Sequence, residues 1–236
     1  MHGSASEPRE RLLVALAEQL KLPLLQIARD AELSGNAKSN ALSRQTISKT
    51  ADVALRMIDG FILSVMPAQK ELQLEPVSVS AVLQDTAHRL NVLAKQYDCD
   101  LELSLSGKYG PVMANKQNLE AALTMLGYAF IEAQPADHKR RQVILAAHKS
   151  PKGLVTGIFG SQNELTSEMF RRAKALYGTA KQPLTSFSPV NGAGVFIADS
   201  LLQAMASGLH PARHNKFQGL AATLLPSYQL KFGGML

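Results

Sequence analysis

The sequence lacks tryptophan, has a single cysteine, and has no apolar run of the length of about 20 residues that a membrane-spanning helix needs. The lone Cys99 excludes an internal disulfide and a cysteine-rich metal site, and it fits a reducing cytosol. Residues 1–6 have no apolar core of the kind found in a secretion signal. We therefore expect a cytoplasmic protein with no membrane-spanning helix.

The composition is that of a globular protein with a basic balance. Of 236 residues, 46% are hydrophobic and 19% are charged, and the formal net charge is +6. A positive charge suits an acidic partner, nucleic acid or an anionic nucleotide. The basic residues are dense only at Lys139–Arg141 and Arg171–Arg172, and aromatic residues make up 6% of the chain, which leaves little stacking material for single-stranded nucleic acid. We therefore interpret the charge as a solvated surface and expect no nucleic-acid partner.

The first third of the chain predicts an antiparallel helical hairpin. Residues 8–34 and 38–66 carry apolar side chains at spacings of three and four, separated by the turn signal Ser34-Gly35-Asn36 and ended by Pro67. A lone hairpin cannot surround its own apolar stripe, so pairing two hairpins into a four-helix bundle predicts a homodimer. The alternative is that the hairpin packs on the rest of the same chain. The apolar stripe comprises Leu13, Leu16, Leu20, Leu24, Ile27 and Ala31, then Ile47, Ala51, Ala54, Ile58, Phe61 and Val65.

The remainder predicts an α/β sandwich, with helices on one face of a mixed sheet. The predicted helices cover 80–97, 116–133, 166–177 and 193–206, and the predicted strands cover 101–105, 112–114, 142–148, 154–159 and 217–225. Pro151-Lys152-Gly153 is a hairpin signal, 178–191 is predicted to be a loop or lid, and His210 and His214 are predicted to lie in a turn. The fold class is therefore α+β. The predicted domains are a hairpin over 8–68, a linker over 69–76 and a sandwich over 77–230.

Leu20-Lys21-Leu22-Pro23-Leu24 places a proline inside a long helical pattern, at a cost of about 3 kcal/mol. This stretch resembles the first helix of the dimerisation domain of sensor histidine kinases. That family carries its phosphoacceptor histidine five residues before such a proline, and Glu18 stands in that slot here. None of the histidines lies on the predicted hairpin. The resemblance thus implies the scaffold of a phosphoacceptor hairpin without the reactive imidazole.

The order of elements after residue 77 resembles the ATP-binding domain of the same kinases, the fold shared with the Hsp90-like ATPases. Residues 115–129 resemble a family helix in which an asparagine holds Mg²⁺. Tyr128 occupies the position of that asparagine here, and Ile131 occupies a position that is lysine-like in the family. The family's Asp-x-Gly-x-Gly, whose aspartate reads adenine, corresponds to residues 160–164, where the aspartate is missing and Glu164 is the nearby acid. Gly192 and Gly194 match the first two glycines of the family's phosphate-side glycine run, and Phe196 stands at the third glycine position. The segment 219–226, which ends in Leu-Pro, resembles the family's closing strand.

Together these features predict a catalytically degenerate, histidine-kinase-like signalling protein without a cofactor or bound metal. Its expected partners are a second copy, and a response-regulator receiver domain or a sensor kinase. The expected contact residues are Glu18, Lys21, Gln26 and Arg29. Gly192 and Gly194 are interpreted as a vestigial phosphate site. The alternative is a divergent ATP-binding histidine kinase or a histidine phosphotransferase of a phosphorelay, in which Mg²⁺ and ATP would bind in a non-standard way.

Overall fold

The computed structural model describes residues 72–133, 141–161, 170–171 and 193–227, together with Ile27, Ile47, Ala51 and Ile58. These four single residues belong to the predicted apolar stripe, and each is helical and half-buried. The rest of the predicted hairpin lies outside the described residues, as do most of the predicted helix 166–177 and all of the predicted loop 178–191. The account below therefore concerns the sandwich.

Ten elements follow one another in the described part of the chain. They are β1 (Glu75–Val77), α1 (Val79–Gln96), β2 (Cys99–Leu105), β3 (Val112–Ala114), α2 (Lys116–Glu132), β4 (Arg141–Ser150), β5 (Gly153–Gly160), α3 (Ala193–Gln203), β6 (His210–His214) and β7 (Phe217–Leu224). Among these elements, no helix is long and apolar enough to cross a membrane.

The large sheet has five strands in the order β2-β4-β5-β7-β6, and β1 pairs with β3 in a separate two-stranded sheet. The β2–β4 pair is parallel, whereas β4–β5, β5–β7 and β6–β7 are antiparallel. One face of the large sheet packs against α1, α2 and α3 in the main hydrophobic core. This arrangement confirms the predicted α/β sandwich with helices layered on one face of a mixed sheet.

The helices begin where short polar side chains cap them. Ser78 caps α1, its hydroxyl accepting from the Ala81 N–H at 3.4 Å, and Asn115 caps α2, its side chain accepting from the Asn118 N–H at 3.0 Å. Ser80, the first residue of the helix predicted over 80–97, was expected to be its cap. The helix starts two residues earlier because Val79 is 1% exposed, so the first turn already contributes to the core.

Two short strands were missed by sequence reasoning. β1 includes the last two residues of the predicted linker, and His210 and His214, predicted in a turn, are the two ends of β6. The turn lies instead at Asn215, whose φ of +54° is one that asparagine tolerates. Both strands are short, carry a proline and lie at sheet edges, so they show little of the apolar alternation that identifies a strand.

The large sheet curls away from the helices so far that its two edges meet. Ser104 on β2 and His214 on β6 form a hydrogen bond of 2.9 Å between Oγ and Nε2, although three strands separate β2 from β6. In a flat sheet those edges would be about 19 Å apart, at about 4.8 Å per strand. The curl encloses a second, smaller apolar cluster comprising Ile144, Ala146, Val155, Phe159, Phe217 and Ala221.

Candidate functional site

The C-terminal half of α2 carries apolar and aromatic side chains at the position where the resembled kinases bind metal. Tyr128 is 2% exposed and belongs to the main hydrophobic core. Neutral phenol oxygen is a poor ligand for Mg²⁺, which prefers carboxylate, phosphate and water oxygens in an octahedral arrangement. The side chain at this position therefore contributes packing, and its burial leaves little room for a hydrated cation.

Two further positions that differ from the kinase pattern are also buried in the core. Ile131, at the lysine-like position, is 0% exposed, and Phe196, at the third glycine position, is 2% exposed. Both side chains belong to the same core cluster as Tyr128, and α3 packs directly against α2. The structure thus brings together three positions where the kinase pattern calls for a metal ligand, a cation and a glycine, and all three are packed as core.

In the sequence, the phosphate-side glycine run leads into α3. Gly194 is buried as the second residue of that helix, whereas Gly192 lies outside the described residues. The first turn of any helix has backbone N–H groups without intrahelical partners, and these can bind an anion. The position of Gly194 is therefore compatible with a vestigial phosphate site.

Of residues 160–164, which correspond to the family's adenine-reading motif, the structure describes only the first two. β5 ends at Gly160, and Ser161 after it is exposed. Residues 162–164, with the acid Glu164, lie outside the described part of the chain. The predicted contact residues of the first helix, Glu18, Lys21, Gln26 and Arg29, also lie outside it and stay predictions.

At the start of α2, the side chain of Asn115 makes hydrogen bonds within the fold. Asn115 caps the helix with its Oδ1, and its Nδ2 donates to the Gln73 carbonyl oxygen at 3.3 Å. Asn118 is 5% exposed within the same turn. Across the described ranges, no group of three or more His, Cys, Asp or Glu residues could hold a metal ion.

Sequence reasoning missed an acidic group at the far end of α2. Burial raises the pKa of Glu132 to about 7. Burial, and then the charge of Glu132, raise the pKa of Tyr97 at the end of α1 to about 12. The sequence signal was a single glutamate directly after the apolar pair Phe130-Ile131, at a position whose burial only the packing of α1 against α2 reveals.

Glu132→Gln is expected to change how stability depends on pH. The folded-state pKa of about 7 lies above the ordinary value of 4.5, so the favourable contribution is complete below pH 4.5 and is lost as pH rises through 7. The variant cannot ionise, so between pH 5 and pH 8 its free energy of unfolding should fall by about 1–2 kcal/mol less than that of the wild type. Urea unfolding across this range measures the difference, and parallel curves would contradict the assignment.

The fold is that of histidine kinases and phosphotransferases among solved structures. Histidine kinase AdeS of Acinetobacter baumannii matches with a TM-score of 0.55 at 14% identity, over 88% of this chain and 98% of that chain. A bacterial phosphotransferase matches with a TM-score of 0.52 at 10% identity, over 94% of this chain and 98% of that one. Full-length ShkA in complex with AMPPNP matches with a TM-score of 0.53 at 14% identity, over 92% of this chain and 46% of that chain.

These likenesses are of fold, since the identities are low. No protein-family model matches the sequence, and no curated protein matches it significantly. The kinase-like architecture is thus combined with a sequence that has diverged at the positions described above.

Proposed function

We propose that the chain is a catalytically degenerate, histidine-kinase-like signalling protein that acts by binding another protein. The observation that carries the proposal is the packing of Tyr128, Ile131 and Phe196 into one hydrophobic core. The kinase-like fold neighbours support the signalling class. The retained fold supports a scaffold role, because a chain that kept only the packing residues of a kinase can still present a surface.

The chemistry that an ATP-dependent kinase needs has no counterpart at these positions. Phosphoryl transfer from ATP depends on positioning the phosphates and on a cation that neutralises their charge. A buried phenol and two buried hydrocarbon side chains supply neither a hard oxygen ligand nor a positive charge. On this proposal the sandwich stabilises and orients the hairpin, and it does not bind Mg²⁺ and ATP.

The proposed binding surface is the first helix of the hairpin, in a homodimer. Glu18, Lys21, Gln26 and Arg29 would contact a receiver domain or a sensor kinase. Glu18 would supply a fixed negative charge where the family has its phosphoacceptor. A carboxylate does not accept and pass on a phosphoryl group as an imidazole does, so binding would occur without a relay through this position.

A second candidate is a histidine phosphotransferase. It is favoured by the fold match to a bacterial phosphotransferase, which extends over nearly the full length of both chains. An enzyme that passes a phosphoryl group between proteins needs a side chain that accepts it, and Glu18 occupies that position here. The described histidines lie on α1 and on the strands of the sandwich, so this candidate needs an acceptor outside the hairpin.

Binding to purified receiver domains and sensor kinases of the same cell, with and without radiolabelled phosphate on them, separates the two candidates. We expect saturable binding to at least one of these proteins and no label on this chain. Lys21→Glu with Arg29→Glu should weaken that binding about tenfold or more, whereas Lys152→Glu, at an exposed turn of the sandwich, should leave it unchanged. Label recovered on this chain would support the phosphotransferase, and absence of any binding would overturn the proposal.

A further inference from the structure

The concave face of the curled sheet carries His148 and His214 over an apolar floor, away from α1, α2 and α3. His214 on β6 is 5% exposed, and its ring lies 5.7 Å from the ring of His148 on β4 and 5.4 Å from that of Phe159 on β5, between centroids. Its Nε2 shares the 2.9 Å hydrogen bond with Ser104 on β2. The buried imidazole of His214, on the edge strand β6, therefore contacts the opposite edge strand β2 and the inner strands β4 and β5.

The titratable and charged groups that face His214 come from β2, β4 and β6. β2 contributes Glu102, whose Oε2 accepts from the Gln142 Nε2 at 2.8 Å, and Asp100, two residues earlier on the same face of the strand. β4 contributes His148, and β6 itself carries His210 on the same face. Among the described residues of β5 and β7, the side chains on this face are uncharged: Val155, Phe159 and Ser161, and Phe217, Ala221 and Thr223.

The environment of this pair disfavours a second positive charge. Burial, and then the nearby His148, lower the pKa of His214, while Glu102 acts in the opposite direction. The Nδ1 atom of His148 is buried and has no hydrogen-bond partner in the described structure, so a proton placed there would lie buried without an acceptor. Two imidazolium rings at this distance would repel each other in a poorly hydrated site.

We propose that His148 and His214 form a proton-sensitive latch on the curled sheet. When the pair is neutral, the hydrogen bond between Ser104 and His214 holds β2 against β6. When both rings are protonated, their repulsion releases the edges, and water reaches the apolar cluster around Phe159 and Phe217. The latch acts on the opposite face of the sheet from the α2–α3 core and is independent of the proposed partner binding.

The direction of the pH effect follows from the lowered pKa of His214. In the unfolded chain the imidazole titrates near 6.5, so between that pH and the lower folded-state value the unfolded chain binds more protons. Stability from this group is therefore complete above pH 6.5 and is lost as pH falls below it. Glu132 changes the dependence of stability on pH in the opposite direction, over an overlapping pH range. The latch is therefore best measured in the Glu132→Gln background.

Amide hydrogen exchange resolved by strand, corrected for the intrinsic pH dependence of exchange, tests the latch. Between pH 7.5 and pH 5.5 we expect protection of β2 and β6 to fall about tenfold, while the central strand β5 changes less than about twofold. His148→Gln should make the loss at the edges clearly smaller, because it removes the repulsion from His148 and leaves only the effect of burial on His214. His88→Gln, which removes an exposed histidine on α1, should behave like the parent.

Ser104→Ala is an independent test, because it removes the hydrogen bond between β2 and β6 and leaves both histidines in place. It should lower edge protection already at pH 7.5 and make it less dependent on pH. Imidazole titrations by NMR should show His214 protonating below the ordinary pKa of 6.5. Equal acid loss in the parent and in His148→Gln, or parallel loss in β5, would overturn the latch.

Discussion

Replacing Gly219 with alanine is expected to destabilise the sandwich by about 3 kcal/mol or more, a large effect for one methyl group. A Cβ at this position would collide with the Ile158 carbonyl oxygen and lie 2.6 Å from Phe159 Cα. Both atoms belong to β5, the neighbouring strand, so relief requires backbone movement within the sheet. The close approach of β7 to β5 therefore depends on the absence of a side chain at Gly219.

Gly110→Ala is the matched control for this substitution. A Cβ at Gly110 would have no heavy atom within 4 Å, and its backbone is not in the left-handed region. We expect the control to change the free energy of unfolding by less than about 0.5 kcal/mol. Thermal unfolding, in which 3 kcal/mol corresponds to a shift of roughly 6–12 °C for a chain of this size, measures both variants. Equal midpoints would mean that β7 does not approach β5 closely at Gly219.

Tyr128→Ala is expected to cost about 3–5 kcal/mol of stability, because it removes a buried aromatic ring from the C-terminal half of α2, where this side chain packs in the core. Tyr128→Phe keeps the ring and should cost about 1.5 kcal/mol or less. If Tyr128 were instead a residue of an open nucleotide site, truncation would be nearly neutral for stability. The free energy of urea unfolding distinguishes these outcomes.

Val92→Ala is the control for the loss of apolar volume on a helix. Val92 is 47% exposed on α1, so its truncation should change stability by less than about 0.5 kcal/mol. Tyr128→Ala within the same small range as this control would contradict the assignment of Tyr128 to the core, and with it the basis for proposing a degenerate site.

The layered architecture was predictable because its main elements carry strong local patterns. The apolar stripe of α2 and the Pro151-Lys152-Gly153 turn between β4 and β5 gave bounds within two residues of those observed. Gly153, with φ of +143°, shows why that turn needs its glycine. Such signals act over a few residues, which is why the sequence alone can report them.

Features that depend on distant residues were not predictable. Ser104 and His214 are 110 positions apart, and their hydrogen bond exists because the sheet curls. β6 was missed because its stability comes from pairing with β7, and its own residues do not alternate in polarity. For the candidate site, the sequence identified Tyr128, Ile131 and Phe196 as departures from the kinase pattern, but their burial together in one core required the packing of α2 against α3.

The most direct test of a degenerate kinase-like site is a calorimetric titration of the purified protein with ATP in the presence of Mg²⁺. The account predicts no saturable heat up to about 1 mM nucleotide, a limit that corresponds to a binding free energy near −4.1 kcal/mol. Micromolar binding that is lost in Gly194→Asp, with transfer of labelled phosphate from ATP to the chain, would contradict it.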